Sequence, residues 1–100
     1  MIKHVVMWKL KEHAEGADKL QNALKMISQL ENLKDHIPEI VQMEAGRNMN
    51  PSAASFDVAM YSSFVTKEDL ETYQTHSEHT KVVAFISKVE ENRVVVDYEI

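Results

Sequence analysis

The chain of 100 residues contains no cysteine, which excludes disulfide bonds and thiolate metal sites. It also has no long apolar run. The apolar stretch in residues 1–10 is too short, and too interrupted by lysine, for a signal peptide or a membrane span. The lack of cysteine fits a reducing compartment. We therefore expect a cytoplasmic protein that has no membrane partner.

A dense basic patch is missing as well. The formal net charge is −5, and the nearest approach to a lysine cluster is Lys3, Lys9 and Lys11. A field of this sign repels phosphate backbones, so we expect no nucleic-acid partner. With 44% hydrophobic and 27% charged residues the composition is that of a globular protein, and the length allows one domain, residues 1–100.

The hydrophobic periodicity predicts four strands and three helical segments. Alternation predicts strands over residues 2–11, 38–47, 56–65 and 93–99. Helical spacing predicts a helix from residue 17 to about 35, one over 67–75 capped by Thr66, and one opening at an N-cap Ser77. The order is β-α-β-β-α(α)-β, the ferredoxin-like α+β fold with an antiparallel four-stranded sheet.

Both faces of the predicted sheet carry apolar residues. Strand one has Val5 and Met7 opposite Val6 and Trp8, and strand four has Val95 between two valines. An antiparallel sheet with one wet face should alternate cleanly between apolar and polar residues. The helices cover one face only, so we expect a second copy of the chain to cover the other and form a homodimer. Aspartate at Val5 or Val95 is expected to break it.

Several segments resemble the stress-responsive A/B barrel family, also called dimeric α-β barrels. The start, residues 3–11, is similar to the family pattern KHxVxxKxK, and residues 73–79 (YQTHSEH) resemble the pattern YxxHPxH. Ser77 stands where the family usually has proline, and both residues suit a helix start. The likeness runs from residue 2 to residue 99.

This resemblance implies a dimer in which two sheets face each other in a closed barrel. It also implies a cleft in each subunit between the sheet and the helices. In a plant polyketide cyclase of the family, the tyrosine and the second histidine of the YxxHPxH segment do the chemistry. By position these are Tyr73 and His79, the candidate catalytic residues of this chain.

His79 is predicted to lie in the first turn of a helix, where the macrodipole and unpaired N–H groups oppose a positive charge. That position favours neutral imidazole near pH 7, the form that a general base needs. Alternatively, His79 is a surface or capping residue. For Tyr73 the alternatives are a hydroxyl that faces a cavity together with His79, or a core side chain with its hydroxyl bonded at the edge.

Three further residues are candidate substrate-binding groups: His4, Trp8 and His76. His4 and Trp8 share the strand face that should line any cleft under the helices, although a histidine there is more often a core group. The pair His76 and His79 also suggests a metal, but no further ligands adjoin it. We expect no metal and no cofactor.

Three functions remain open. The first is an enzyme or binder for a small, largely apolar carbonyl compound, with cofactor-independent acid/base chemistry of the cyclase or lyase kind. The second is a non-catalytic dimeric stress or structural module in which the same residues only pack. The third is a monooxygenase, by analogy of fold alone.

Overall fold

The computed structural model describes residues 1–100. Six strands and three α-helices follow along the chain: β1 (Ile2–Leu10), β2 (His13–Ala14), β3 (Ala17–Asp18), α1 (Lys19–Asn32), β4 (Gln42–Arg47), β5 (Val58–Phe64), α2 (Lys67–Thr75), α3 (Ser77–Val89) and β6 (Glu90–Glu99). A 3₁₀ turn, Leu33–Asp35, extends α1 close to the predicted end of the helix.

The four long strands form one antiparallel sheet in the order β4-β5-β1-β6, and β2 pairs with β3 in a small hairpin. The helices pack on one face of the sheet. The core between the two layers contains Val6 and Leu10 of β1, Met26 and Leu30 of α1, and Ile86 of α3. The predicted ferredoxin-like fold is confirmed. No helix is long and apolar enough to cross a membrane.

The face of the sheet away from the helices is apolar and uncovered. The register places Val5 beside Tyr61 and Val96, and Met7 beside Ala59 and Val94. Met7 is 42% exposed and Val96 is 54% exposed. We call this surface the open face; its residues are Lys3, Val5, Met7, Lys9, Ala59, Tyr61, Val94, Val96 and Tyr98. Val95 pairs with Val6 and so lies on the helix-facing side, which means that its expected role in the dimer contact is wrong.

Two predicted boundaries are corrected by local hydrogen bonds. Strand β4 begins at Gln42, not at residue 38, because the Ile40 N–H donates to the Ile37 carbonyl at 3.2 Å. This bond closes a turn with Pro38 at its second position, where the fixed φ of proline is favourable. Strand β6 begins at Glu90, earlier than predicted, because residues 90–92 continue the pairing with β1.

The cap of α3 is the third correction. Ser77 is the first helical residue and not the N-cap. The N-cap is His76, whose Nδ1 accepts a hydrogen bond from the Glu78 N–H at 3.0 Å. Thr66 caps α2 as predicted, and its hydroxyl accepts from the Asp69 N–H at 3.1 Å.

Candidate functional site

A cavity of about 350 Å³ lies between the sheet and the helices α2 and α3. Its floor is formed by alternate side chains of β1, and its roof by α3. Eight of its 13 lining residues are hydrophobic. A concave, largely apolar space with a few polar groups is the usual form of a small-molecule site, and this one is near the lower end of the roughly 300–1,000 Å³ range.

The break between α2 and α3 brings Tyr73 and His79 together. Tyr73 is in the last turn of α2 and His79 in the first turn of α3, and His76 between the helices has extended backbone (φ −65°, ψ 140°). This turn of the chain places the two rings side by side, with centroids 4.4 Å apart and the ring planes inclined at 51°. Both residues line the cavity.

His79 has the protonation state that a base requires. Its Nδ1 is 3.0 Å from the Gln74 carbonyl oxygen, which can only accept, so Nδ1 carries the hydrogen. The neutral ring therefore keeps its unprotonated lone pair on Nε2. Burial lowers the pKa of His79 below its ordinary value; the Gln74 contact opposes this, and the nearby charges of His4, Arg93 and His76 add to the lowering.

Tyr73 is completely buried, and its ring packs against Phe64 with centroids 5.1 Å apart. Its hydroxyl oxygen is buried and has no hydrogen-bond partner in the chain, which favours the alternative in which the hydroxyl faces the cavity. Burial strongly raises the pKa of Tyr73, although the charge of Arg93 opposes the change. The hydroxyl therefore stays protonated at physiological pH, and no acceptor in the chain receives its hydrogen.

His4 is buried on β1, and its ring meets the Tyr73 ring edge-on at 6.1 Å. Its Nδ1 donates to the Oδ1 atom of Asp97, the residue opposite it on β6. A carboxylate bonded to one ring nitrogen fixes the orientation and the tautomer of a histidine. His4 therefore presents a fixed ring to the cavity that it lines.

The other two predicted binding residues have different positions. Trp8 lines the cavity, and its Nε1–H is buried without a hydrogen-bond partner. His76 lies outside the cavity lining, because its ring turns back to cap α3. No group of three or more histidine, aspartate or glutamate side chains lies close enough together to hold a metal ion.

Sequence reasoning missed the polar residues that β6 contributes. Arg93 and Glu90 line the cavity, and Asp97 holds His4. Arg93 lies directly opposite Trp8, as Asp97 does opposite His4. The alternation of Arg93, Val95 and Asp97 along the last strand indicates that these side chains share one face of the sheet. Only the β1–β6 register shows that this face is the one on the side of the cavity.

The chain thus combines a ferredoxin-like fold, an uncovered apolar sheet face and a cavity lined by a tyrosine and a histidine. The model of the stress responsive A/B barrel domain matches residues 2–100. The chain belongs to this family.

One curated relative is the stress-response A/B barrel domain-containing protein DABB1 of Arabidopsis thaliana. It is 28% identical over 98 residues, which cover 98% of this chain but 46% of the relative. The chain thus spans about half the length of that protein.

Among solved structures, a dimeric ferredoxin-like protein of unknown function from Bacteroides fragilis has a TM-score of 0.88 and 33% identity, covering 99% of this chain and 95% of its own. A hydroxynitrile lyase from Passiflora edulis has a TM-score of 0.83 and 20% identity, and the match covers 99% of this chain and 92% of its own. The second likeness concerns the fold alone.

Proposed function

We propose that the cavity binds a small, largely apolar carbonyl compound and that Tyr73 and His79 act on it by acid/base chemistry. The observation that carries this proposal is the pairing of a free hydroxyl donor and a neutral imidazole, with rings 4.4 Å apart, on the wall of one apolar cavity. A buried hydroxyl without a partner costs roughly 1–3 kcal/mol. A ligand oxygen that accepts from Tyr73 would remove that cost.

The reaction begins when the Tyr73 hydroxyl donates a hydrogen bond to the carbonyl oxygen of the ligand. His79 Nε2 then takes a proton from the carbon next to the carbonyl. The electron pair of the broken C–H bond moves into the carbonyl group and gives an enolate, whose oxygen keeps the Tyr73 hydrogen bond. The imidazolium later returns its proton to the product. The chemistry needs no metal and no cofactor.

His4 and Trp8 complete the proposed binding site. The apolar body of the ligand lies on the β1 floor, where the side chains of His4 and Trp8 provide contact area. Asp97 is a positioning residue, because it acts through its bond to His4. His76 is not part of this proposal, since its ring is engaged at the cap of α3.

The working unit that we propose is a homodimer built through the open face. Met7, Val94, Val96 and Tyr98 are all exposed on this face in the single chain. Contiguous exposed apolar area of this kind marks an interface. A second copy related by a two-fold axis presents the same residues in return, and similar structures are described as dimeric.

Proton abstraction can be tested without knowledge of the natural substrate. Small apolar ketones and β-diketones are incubated with the protein in deuterated water, and deuterium uptake at the carbon next to the carbonyl is followed by mass spectrometry. Wild type should accelerate exchange for part of the panel, and His79→Ala should reduce the rate about a hundredfold or more.

The matched control is His13→Ala. This variant removes an exposed histidine that does not line the cavity, so the exchange rate should stay unchanged. Equal exchange rates for wild type and His79→Ala would refute the proposal. No exchange with any carbonyl compound, together with no ligand in the cavity, would favour the non-catalytic module.

A further inference from the structure

Arg93 places a cation on the wall of the cavity. It is one of two arginines in the chain, lies opposite Trp8 in the β1–β6 register and lines the cavity. Its guanidinium has no carboxylate within ion-pair distance. By contrast, three lysines pair with glutamates, a fourth donates to a tyrosine hydroxyl, and His4 pairs with Asp97. Asp97, on the same face of β6, is occupied by His4.

The charge of Arg93 reaches the reacting groups. Its positive charge opposes the rise that burial causes in the pKa of Tyr73. For His79, it adds to the lowering of the pKa that burial causes. The only other ionisable lining residues are His4, Glu90 and those two. Glu90 forms no salt bridge with Arg93, and its Oε2 atom is buried without a hydrogen-bond donor. The cavity thus has an arginine cation that the protein itself leaves unneutralised.

We propose that Arg93 recognises an anionic group of the ligand, so that the substrates of this site are small apolar carboxylates. A guanidinium binds a carboxylate through two parallel hydrogen bonds, which is the strongest recognition that a single side chain offers this group. The inference rests on the proposed function for the identity of the site, because it adds the substrate class to the same cavity. A carboxylate at Arg93 leaves the carbonyl free to reach Tyr73 and His79.

Binding of matched probes tests this inference independently of turnover. Phenylacetate and phenylacetamide have the same shape and differ in charge, and their affinities for wild type are measured by NMR titration at low salt. Wild type should bind phenylacetate about tenfold more tightly than the amide, as one charge-assisted contact provides. Arg93→Gln should abolish the preference and keep the affinity for the amide.

Two further variants test whether the preference for phenylacetate depends on the charges of the cavity wall. Arg47→Gln removes the other arginine, which does not line this cavity, and should retain the wild-type preference. Glu90→Gln removes a negative charge from the cavity wall and should strengthen phenylacetate binding. Added salt should weaken the preference, since Arg93 is exposed at the edge strand.

Equal affinities for the two probes in wild type, a preference that survives in Arg93→Gln, or no saturable binding of either probe would overturn the inference. The failure of the proposed function looks different. In that case Arg93-dependent binding of phenylacetate would persist, while the deuterium exchange assay would show no catalysis that depends on His79.

Discussion

Removing the Tyr73 hydroxyl should make the protein more stable. Tyr73 is fully buried and its oxygen has no hydrogen-bond partner, so the folded state bears the desolvation cost of that group without compensation. An unsatisfied buried donor costs roughly 1–3 kcal/mol. Tyr73→Phe keeps the ring and its packing on Phe64, and we expect the free energy of unfolding to rise by about 1 kcal/mol.

The assay is urea unfolding at equilibrium, with the protein concentration fixed because dimer formation contributes to apparent stability. Tyr61→Phe is the matched control. Its hydroxyl accepts a hydrogen bond from Lys3 Nζ at 2.7 Å, so the same change at this position should lower the stability by about 0.5–1.5 kcal/mol. The opposite signs of the two variants are the test.

A loss of stability in Tyr73→Phe would refute this reasoning, because it would mean that the hydroxyl is already satisfied in the folded protein. The same variant should lose most of any activity of the cavity. A residue whose removal improves stability and impairs chemistry is expected where a site keeps a polar group free for its ligand.

Two further predictions concern the interface and the start of α3. Val5→Asp or Val96→Asp should dissociate or unfold the dimer, because each would bury an unpaired charge on the open face. Val95→Asp places the charge on the helix-facing side. In sedimentation experiments, this variant should keep twice the mass of the chain. His76→Ala should destabilise the protein by about 0.5–1 kcal/mol, because the helix cap is lost. Ser77→Ala should change the stability by less than about 0.5 kcal/mol. Thermal unfolding measures both variants. Ser77→Pro should be neutral or slightly stabilising, because His76 already has the extended backbone that proline requires before it; a loss of several kcal/mol would contradict the observed helix start.

The fold was predictable because its signals are local. Alternation in β1 separates the buried His4 and Trp8 from the exposed Met7, and helical spacing identifies the apolar face of α3. The same local spacing, with a break at His76, brings Tyr73 and His79 together, and the family resemblance points to the same pair.

Other features of the site could not be predicted from the spacing of residues along the chain. Arg93 and Asp97 lie more than 80 residues from the β1 residues that they face, and only the strand register puts them at the cavity. Ser77 has the side chain typical of an N-cap, yet the histidine before it takes that role because its Nδ1 reaches the Glu78 N–H. The free hydroxyl of Tyr73 is a property of its surroundings, which no local pattern records.

In the proposed reaction His79 is a neutral base whose free nitrogen is Nε2. Its pKa is lowered in the folded protein, so His79 stays neutral as the pH falls through the ordinary histidine value of about 6.5. Catalysis should persist there and fail only as the pH falls through the lower folded value. The stability that comes from keeping this ring neutral should be complete above about pH 6.5 and decline below it.

A ¹⁵N NMR titration of the five histidines tests this claim most directly, since it reports both the pKa and the tautomer of each ring. We predict that His79 titrates below the ordinary histidine value of about 6.5 and that its neutral form carries the hydrogen on Nδ1. A His79 that titrates above about 6.5, or one protonated on Nε2 when neutral, would contradict the proposed role of this residue.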